Sequence, residues 1–225
     1  MPETALTHYT LKHSPYSSHS LLLARLPEPG RGRRVLDAGC GNGYLAEILA
    51  SRGYRVTGIE RPEGVTRQIP DEIHFIPADL ERPLPALGEY DVIVCADILE
   101  HLRDPAGLLT RLRRHLAPGG HFLCSLPNSA NIHFRLTVLA GRFPKEEKGL
   151  FDATHVQFLT WDGWDELFRR AGLSFQAVWP SGIPVGLRFP ASDGTPWVSA
   201  AERICYDLAR LRKQLFAYQF VVEAR

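Results

Sequence analysis

The chain has 225 residues, of which 44% are hydrophobic and 23% charged, and its formal net charge is +1. That length suits one large domain with an ordinary soluble globular composition. The near-neutral charge argues against nucleic acid or an anionic membrane as partner. The four cysteines, Cys40, Cys95, Cys124 and Cys205, lie far apart without C-x-x-C spacing, against a zinc module or a disulfide framework. Residues 1–12 lack the apolar stretch of a signal peptide, and no run has the length of a membrane span, so a cytoplasmic protein is expected.

Residues 1–14 are polar and without period, a segment that could fold over a ligand. Ser17 or Ser18 could cap a short helix carrying Leu21, Leu22, Leu23 and Leu26, which Pro27 and Pro29-Gly30 end. Residues 34–38 read as a first strand buried on both faces. A glycine-dense turn follows, Gly39-Cys40-Gly41-Asn42-Gly43, and then a helix to about Arg52. Residues 54–59, 73–76 and 90–95 read as the next three strands, with a helical stretch over 64–69 between the first two of these. Asp104-Pro105 opens a helix whose apolar face is Leu108, Leu109, Leu112 and Leu116. Ala117-Pro118-Gly119-Gly120 predicts a turn into a fifth strand at 121–126. Residues 131–140 read as a helix, 141–158 as irregular, and 160–170 as a helix capped by Thr160. A sixth strand is expected over 173–179, a long loop over 180–196, a helix over 200–213 and a last strand over 216–224. Strands alternating with helices imply a doubly wound parallel α/β sheet.

In such a sheet ligands bind beyond the carboxyl ends of the strands. The residues there are Asp37, Glu60, Asp79 and Asp97, one acid from each of the first four strands. This row repels phosphate and suits hydroxyls or a cationic centre. Glu60 could accept from the two hydroxyls of a ribose, which nicotinamide-binding folds also require. The glycine loop is likewise ambiguous, because Gly41-x-Gly43-x-x-Ala46 fits a dinucleotide pattern. Asp37 and Asp79 tip the balance, since neither is needed to hold a pyrophosphate.

Val35-Leu36-Asp37-x-Gly39-Cys40-Gly41-x-Gly43 resembles the first motif of the class I S-adenosylmethionine-dependent methyltransferases. The resemblance continues through Glu60, Ala78-Asp79, Tyr90-Asp91-Val92-Ile93, Leu99-Glu100-His101, Leu116-x-Pro118-Gly119-Gly120 and Pro127-Asn128. It implies a Rossmann-like α/β/α sandwich with a seven-stranded sheet, mostly parallel, whose antiparallel last strand inserts beside the fifth. Gly39, Cys40, Gly41 and Gly43 would then face the methionine part of S-adenosylmethionine, later S-adenosylhomocysteine. Glu60, with Arg61 beside it, would bind the ribose. Asp79 would accept from the adenine amino group with Leu80 beside the ring. Asp37 would orient the loop near the cofactor's amino group, and Ala96 and Asp97 would line the wall beyond the fourth strand. Residues 1–33 would form a cap or lid, 34–225 the methyltransferase domain, and about 129–160 an insertion on the acceptor side. The stretch from Gly141 through Asp152-x-Thr154-His155 to Thr160 is similar to a subgroup that accompanies natural-product, quinone or sugar pathways.

Methyl transfer to a hydroxyl needs alignment, exclusion of water and a base, and histidine is the natural base near neutral pH. His101 and His155 are the candidates, with Asp152 able to orient His155; structural hydrogen bonding is the rival reading for each. Tyr16, Asn128, Phe134, Phe143 and Phe151 are expected at an acceptor pocket, although aromatics are more often core. His13 and His19 read as surface or lid residues. No metal is expected; the alternative is Mg2+ on Asp97, Glu100 and His101, which share one face if a helix begins there, a set similar to the cluster of quinone-ring O-methyltransferases. The expectation is O-methylation of a small-molecule acceptor by a monomer or homodimer. The rivals are N- or C-methylation, a non-catalytic S-adenosylmethionine-binding protein, and a nicotinamide-dependent oxidoreductase.

Overall fold

The structure is a computed structural model that describes residues 14–189 and 192–225. The expectations for residues 1–13, His13 included, lie outside the described residues. Seven strands form one sheet in the order β3-β2-β1-β4-β5-β7-β6. They are β1 Arg34–Ala38, β2 Arg55–Glu60, β3 Ile73–Pro77, β4 Tyr90–Cys95, β5 Leu116–Pro127, β6 Phe175–Pro180 and β7 Gln219–Ala224. The first five pair in parallel, whereas β7 runs antiparallel to both β5 and β6. This is the expected seven-stranded Rossmann-like sheet with a reversed last strand between β5 and β6.

Helices α1 Ser18–Leu23, α2 Tyr44–Ser51, α3 Pro105–Arg113, α4 Ile132–Leu139, α5 Trp161–Arg170, α6 Val185–Arg188, α7 Pro196–Leu211 and α8 Lys213–Phe216 complete the chain. Successive strand residues point to opposite faces, so each inner strand feeds two cores. Leu36, Ile93, Phe122 and Phe220 join the cluster that includes Leu108, Leu109, Trp164 and Phe168 of α3 and α5. Val35, Val92, Val94 and Leu123 join the cluster of α1 and α2 with Leu22, Leu45 and Leu49. Local chemistry starts the helices: Ser17 accepts from the Ser20 N–H, Asp104 from that of Gly107, Asn131 from that of His133 and Thr160 from that of Gly163.

Three expectations are corrected. The stretch 64–69 is not helical; the β2–β3 crossover holds only a 3₁₀ turn at Pro62–Gly64. There Arg67 reaches back to the Asn42 carbonyl (2.8 Å) and to Glu47, and the Thr66 N–H donates to Asn42 Oδ1 (2.8 Å). These contacts tie the segment to the glycine loop instead. The turn at 117–120 is part of β5, where the register shifts between Tyr90 and Val92 and Gly119 adopts φ +79°. The last helix breaks at Arg212, and β7 starts at Gln219 rather than at 216. Among the described residues no helix is long and apolar enough to cross a membrane.

Candidate active site

Asp37 lies inside β1, 2% exposed, and its Oδ2 is buried without a hydrogen-bond partner. Burial first, and the Glu60 charge second, push its carboxyl up to about 7. The loop after it makes its turn through left-handed backbone at Gly39, Gly41 and Gly43, with φ of +80°, +50° and +77°. A Cβ on Gly41 would meet nothing within 4 Å, whereas one on Gly39 would strike the Ile98 side chain at 2.5 Å. The loop is therefore closed beneath and open above Gly41. Cys40 is buried with its thiol pushed up by burial, and its sulfur lies close against Gly58. It offers the site backbone, not a thiolate.

Glu60 ends β2 and accepts from the N–H groups of Gly41 (3.1 Å) and Arg61 (2.8 Å). Two bonds leave a carboxylate with acceptor capacity to spare. Asp79 accepts from the Glu81 N–H (2.9 Å), and Leu80 beside it is buried. Ala96 and Asp97 follow β4. Asp97 adopts φ +52°, an uncommon conformation outside glycine that aspartate tolerates best. Its Oδ1 accepts from Ser125 Oγ (2.6 Å) and Gln219 Nε2 (2.7 Å), and His19 Nε2 lies 3.6 Å from Oδ2. His19 is thus a largely buried neighbour of the site rather than a surface residue.

These residues fit S-adenosylmethionine. An unpartnered buried acceptor, two adjacent acids and an open glycine loop suit ammonium, sulfonium and ribose hydroxyl groups, and would repel a pyrophosphate.

His101 closes a 3₁₀ turn, Leu99–His101, just beyond Asp97. Its Nδ1 lies 3.0 Å from Thr154 Oγ1, and that hydroxyl donates to Asp152 Oδ1 (2.6 Å). His155 meets His101 edge-on, ring centroids 4.7 Å apart, and its Nε2 is 3.9 Å from Glu100 Oε1. The three residues expected to catalyse, His101, His155 and Asp152, are therefore brought together. Burial lowers the His101 pKa below the ordinary imidazole range, opposed by the Asp152 charge, a hydrogen bond to the Thr154 backbone, and the Asp97 and Glu60 charges. The alternative metal set does not assemble as expected. The turn is not an α-helix, the Asp97 carboxylate faces Ser125 and Gln219, and Glu100 is 1% exposed. Glu100, His101 and His155 do each bring a polar atom within 4.8 Å of the others. His101 Nδ1 is engaged by the Thr154 hydroxyl.

Beside the histidines stands an aromatic wall. Phe134 stacks on Phe151 at 4.5 Å, Phe143 meets both edge-on, and Phe158 lies 6.0 Å from His155. Phe151 is 1% exposed and serves as support, while Phe143, 53% exposed, is the open member of the wall. Tyr16 stacks on Tyr206 of α7 at 4.8 Å. Asn128 is corrected as an acceptor-binding residue. It is fully buried, its amide donates to the carbonyls of Gln214 (3.1 Å) and Ala217 (2.9 Å), and its Oδ1 accepts from the Ala130 N–H (3.0 Å). Sequence reasoning missed Gln219 and Ser125, which have no local signal because Asp97 is their distant partner. Thr154 carried a signal, its spacing in Asp152-x-Thr154, without a role. A separate cavity of about 920 Å³ is lined by Arg34, Arg55, His74 and Tyr90. It opens at the strands' amino ends, away from the acids, where α/β sheets do not bind ligands.

A sheet with the reversed seventh strand, a glycine loop after β1 and acids along its carboxyl edge defines a class I S-adenosylmethionine-dependent methyltransferase. The family described as a methyltransferase domain matches residues 11–178, and the chain belongs to that family. It is 34% identical over 156 residues to a ubiquinone biosynthesis O-methyltransferase of Dinoroseobacter shibae, covering 65% of this chain and 62% of that protein. A counterpart from Psychrobacter arcticus is 28% identical over 192 residues, 79% of this chain and 71% of its own. Against the first of these, and against that of Dechloromonas aromatica, where 52% is covered, the match spans less than two thirds of the relative's length. Among solved structures, an S-adenosylmethionine-dependent methyltransferase from Mesorhizobium loti is similar with a TM-score of 0.63 at 22% identity, covering 93% of this chain and 98% of that one. The magnesium protoporphyrin IX methyltransferase of Synechocystis, with bound SAH, gives 0.57 at 19% identity over 92% and 78%. At those identities the likeness is one of fold.

Proposed function

We propose that this domain transfers a methyl group to a hydroxyl of a small aromatic acceptor, with His101 as general base. S-adenosylmethionine, when bound, supplies an electrophilic methyl on a sulfonium. The chain's part is to hold that donor with Asp37, Glu60, Asp79 and the loop from Gly39 to Gly43. It must also exclude water, and take the acceptor's proton as the oxygen becomes nucleophilic. The observation that carries this reading is the histidine pair at the acid-lined edge, set against the wall of Phe134, Phe143 and Phe158. An aromatic ring suits that wall, and relatives named for ubiquinone biosynthesis support a phenolic hydroxyl. Residues 129–160 are read as the cover of the acceptor side.

A buried, neutral imidazole is ready to accept a proton at pH 7. His101→Gln should lower kcat for a catechol acceptor about 100-fold or more while leaving S-adenosylhomocysteine bound. Because burial lowers the His101 pKa, the acid limb of the wild-type kcat/KM profile should fall below the ordinary imidazole value of about 6.5. A glutamine variant with unchanged kcat would remove His101 from the reaction.

A further inference from the structure

We propose that Thr154 is a positioning residue whose hydroxyl holds His101 as the Nδ1–H tautomer, leaving Nε2 as the atom that receives the acceptor's proton. The inference rests on the reading of His101 as base, which its test keeps separable.

A threonine hydroxyl has one hydrogen and two lone pairs. Asp152 Oδ1 already accepts the Thr154 backbone N–H at 2.8 Å, and it lies 2.6 Å from Thr154 Oγ1. Asp152 Oδ1 accepts both hydrogens, so the hydroxyl hydrogen is directed at Asp152. Thr154 Oγ1 then has only lone pairs left for His101 Nδ1, 3.0 Å away, and the imidazole must supply the hydrogen. In the neutral ring that leaves Nε2 unprotonated.

The geometry is held from both sides. The backbone N–H groups of Val156 and Gln157 donate to the Glu100 carbonyl at 2.9 and 3.0 Å, bolting the insertion to the turn that carries His101. The His155 N–H donates to the Asp152 carbonyl (3.1 Å), and the Asp152 N–H to that of Gly149 (3.2 Å), which fix the turns presenting Thr154. The same three-residue arrangement of Asp152 and Thr154 would also serve as a local turn. The contact to His101 crosses 53 residues of sequence and is what the turn alone does not need.

Among the described residues, the charged and titratable groups facing His101 are Asp152 from the insertion, Asp97 after β4, Glu60 after β2, and Glu100 and His155 beside it. The three named first favour the imidazolium, and burial opposes them. Thr154 meets the ring with its backbone as well as with its hydroxyl, and the hydroxyl is the part whose one hydrogen Asp152 already takes.

The test uses the full chain with ¹⁵N-labelled histidine at pH 8, its His101 signals identified by their loss in His101→Gln. Wild type should show the proton on Nδ1. Thr154→Val, which keeps the shape and removes the hydroxyl, should move the balance toward Nε2–H by about tenfold, and Thr154→Ser should restore it. Thermal melting of both variants separates this from loss of fold. With 3,4-dihydroxybenzoate as the acceptor probe, Thr154→Val should lower kcat about tenfold at nearly constant KM, with rescue by serine. A wild-type ring protonated on Nε2, or a valine variant with the wild-type tautomer, would overturn the proposal. If the tautomer shifts as expected but His101→Gln keeps its kcat, the positioning stands and the base reading falls.

Discussion

Asp37 is a carboxyl that the apoprotein holds at a cost. Its pKa is about 7 in the fold against 3.8 ordinarily, so the folded state keeps a proton that the unfolded chain releases between those values. Stability from this group is fullest below pH 4, falls as pH rises to about 7, and is level above. An amide in place of the carboxyl would not ionise. Asp37→Asn should therefore stabilise the apoprotein at pH 8 by a few kcal/mol, and little at pH 4, read by urea unfolding. The same variant should bind S-adenosylhomocysteine at least about tenfold more weakly, because a charged acceptor for the ligand's ammonium is gone. Equal urea midpoints at the two pH values would show that Asp37 is solvated in the fold. The thiols point the other way: buried Cys124, with its pKa pushed well up by burial, remains an inert core residue.

The carboxyl edge of the sheet depends on how β7 is held. Its antiparallel run beside β5 brings Gln219 to Asp97, and the connection before it is clamped by two asparagines. Asn128 and Asn131 both donate to the Ala217 carbonyl at 2.9 Å, and Asn131 also caps α4. Removing the Asn128 amide leaves the buried Ala130 N–H without its acceptor and takes a donor from the Gln214 and Ala217 carbonyls, of which Ala217 keeps Asn131. Asn128→Ala should cost about 2–3 kcal/mol in urea unfolding, and should lower acceptor affinity more than cofactor affinity. The glycine loop is legible in the sequence, because three glycines behind an aspartate have few uses. The asparagine clamp is not, since its partners lie 85–89 residues away. The expected helix over 64–69 failed for a related reason: Arg67 and Thr66 find their partners on the loop at Asn42, and tertiary bonds override weak helical pattern.

Ligand binding should be felt by the whole molecule, since β1, β2 and β4 all deliver groups to one edge. S-adenosylhomocysteine at 100 times its Kd should stabilise the chain by about 2.7 kcal/mol, seen as a rise in melting temperature. Glu60→Ala should abolish most of that rise at the same concentration; a full shift in the variant would place the ribose elsewhere. The fold class, the parallel order of the first strands, the loop and its row of acids are legible in sequence because each depends on short-range chemistry. Continuous apolar runs mark strands buried on both faces, glycines permit left-handed turns, and a carboxylate at a strand's end has a predictable position. The assembly of His101 with Thr154, Asp152 and His155, the burial of Glu100, and the Asp97–Gln219–Ser125 cluster were decided only by tertiary structure. Those contacts join segments far apart in the chain, and sequence pattern carries no distance information between a histidine after the fourth strand and a threonine in a loop 53 residues later.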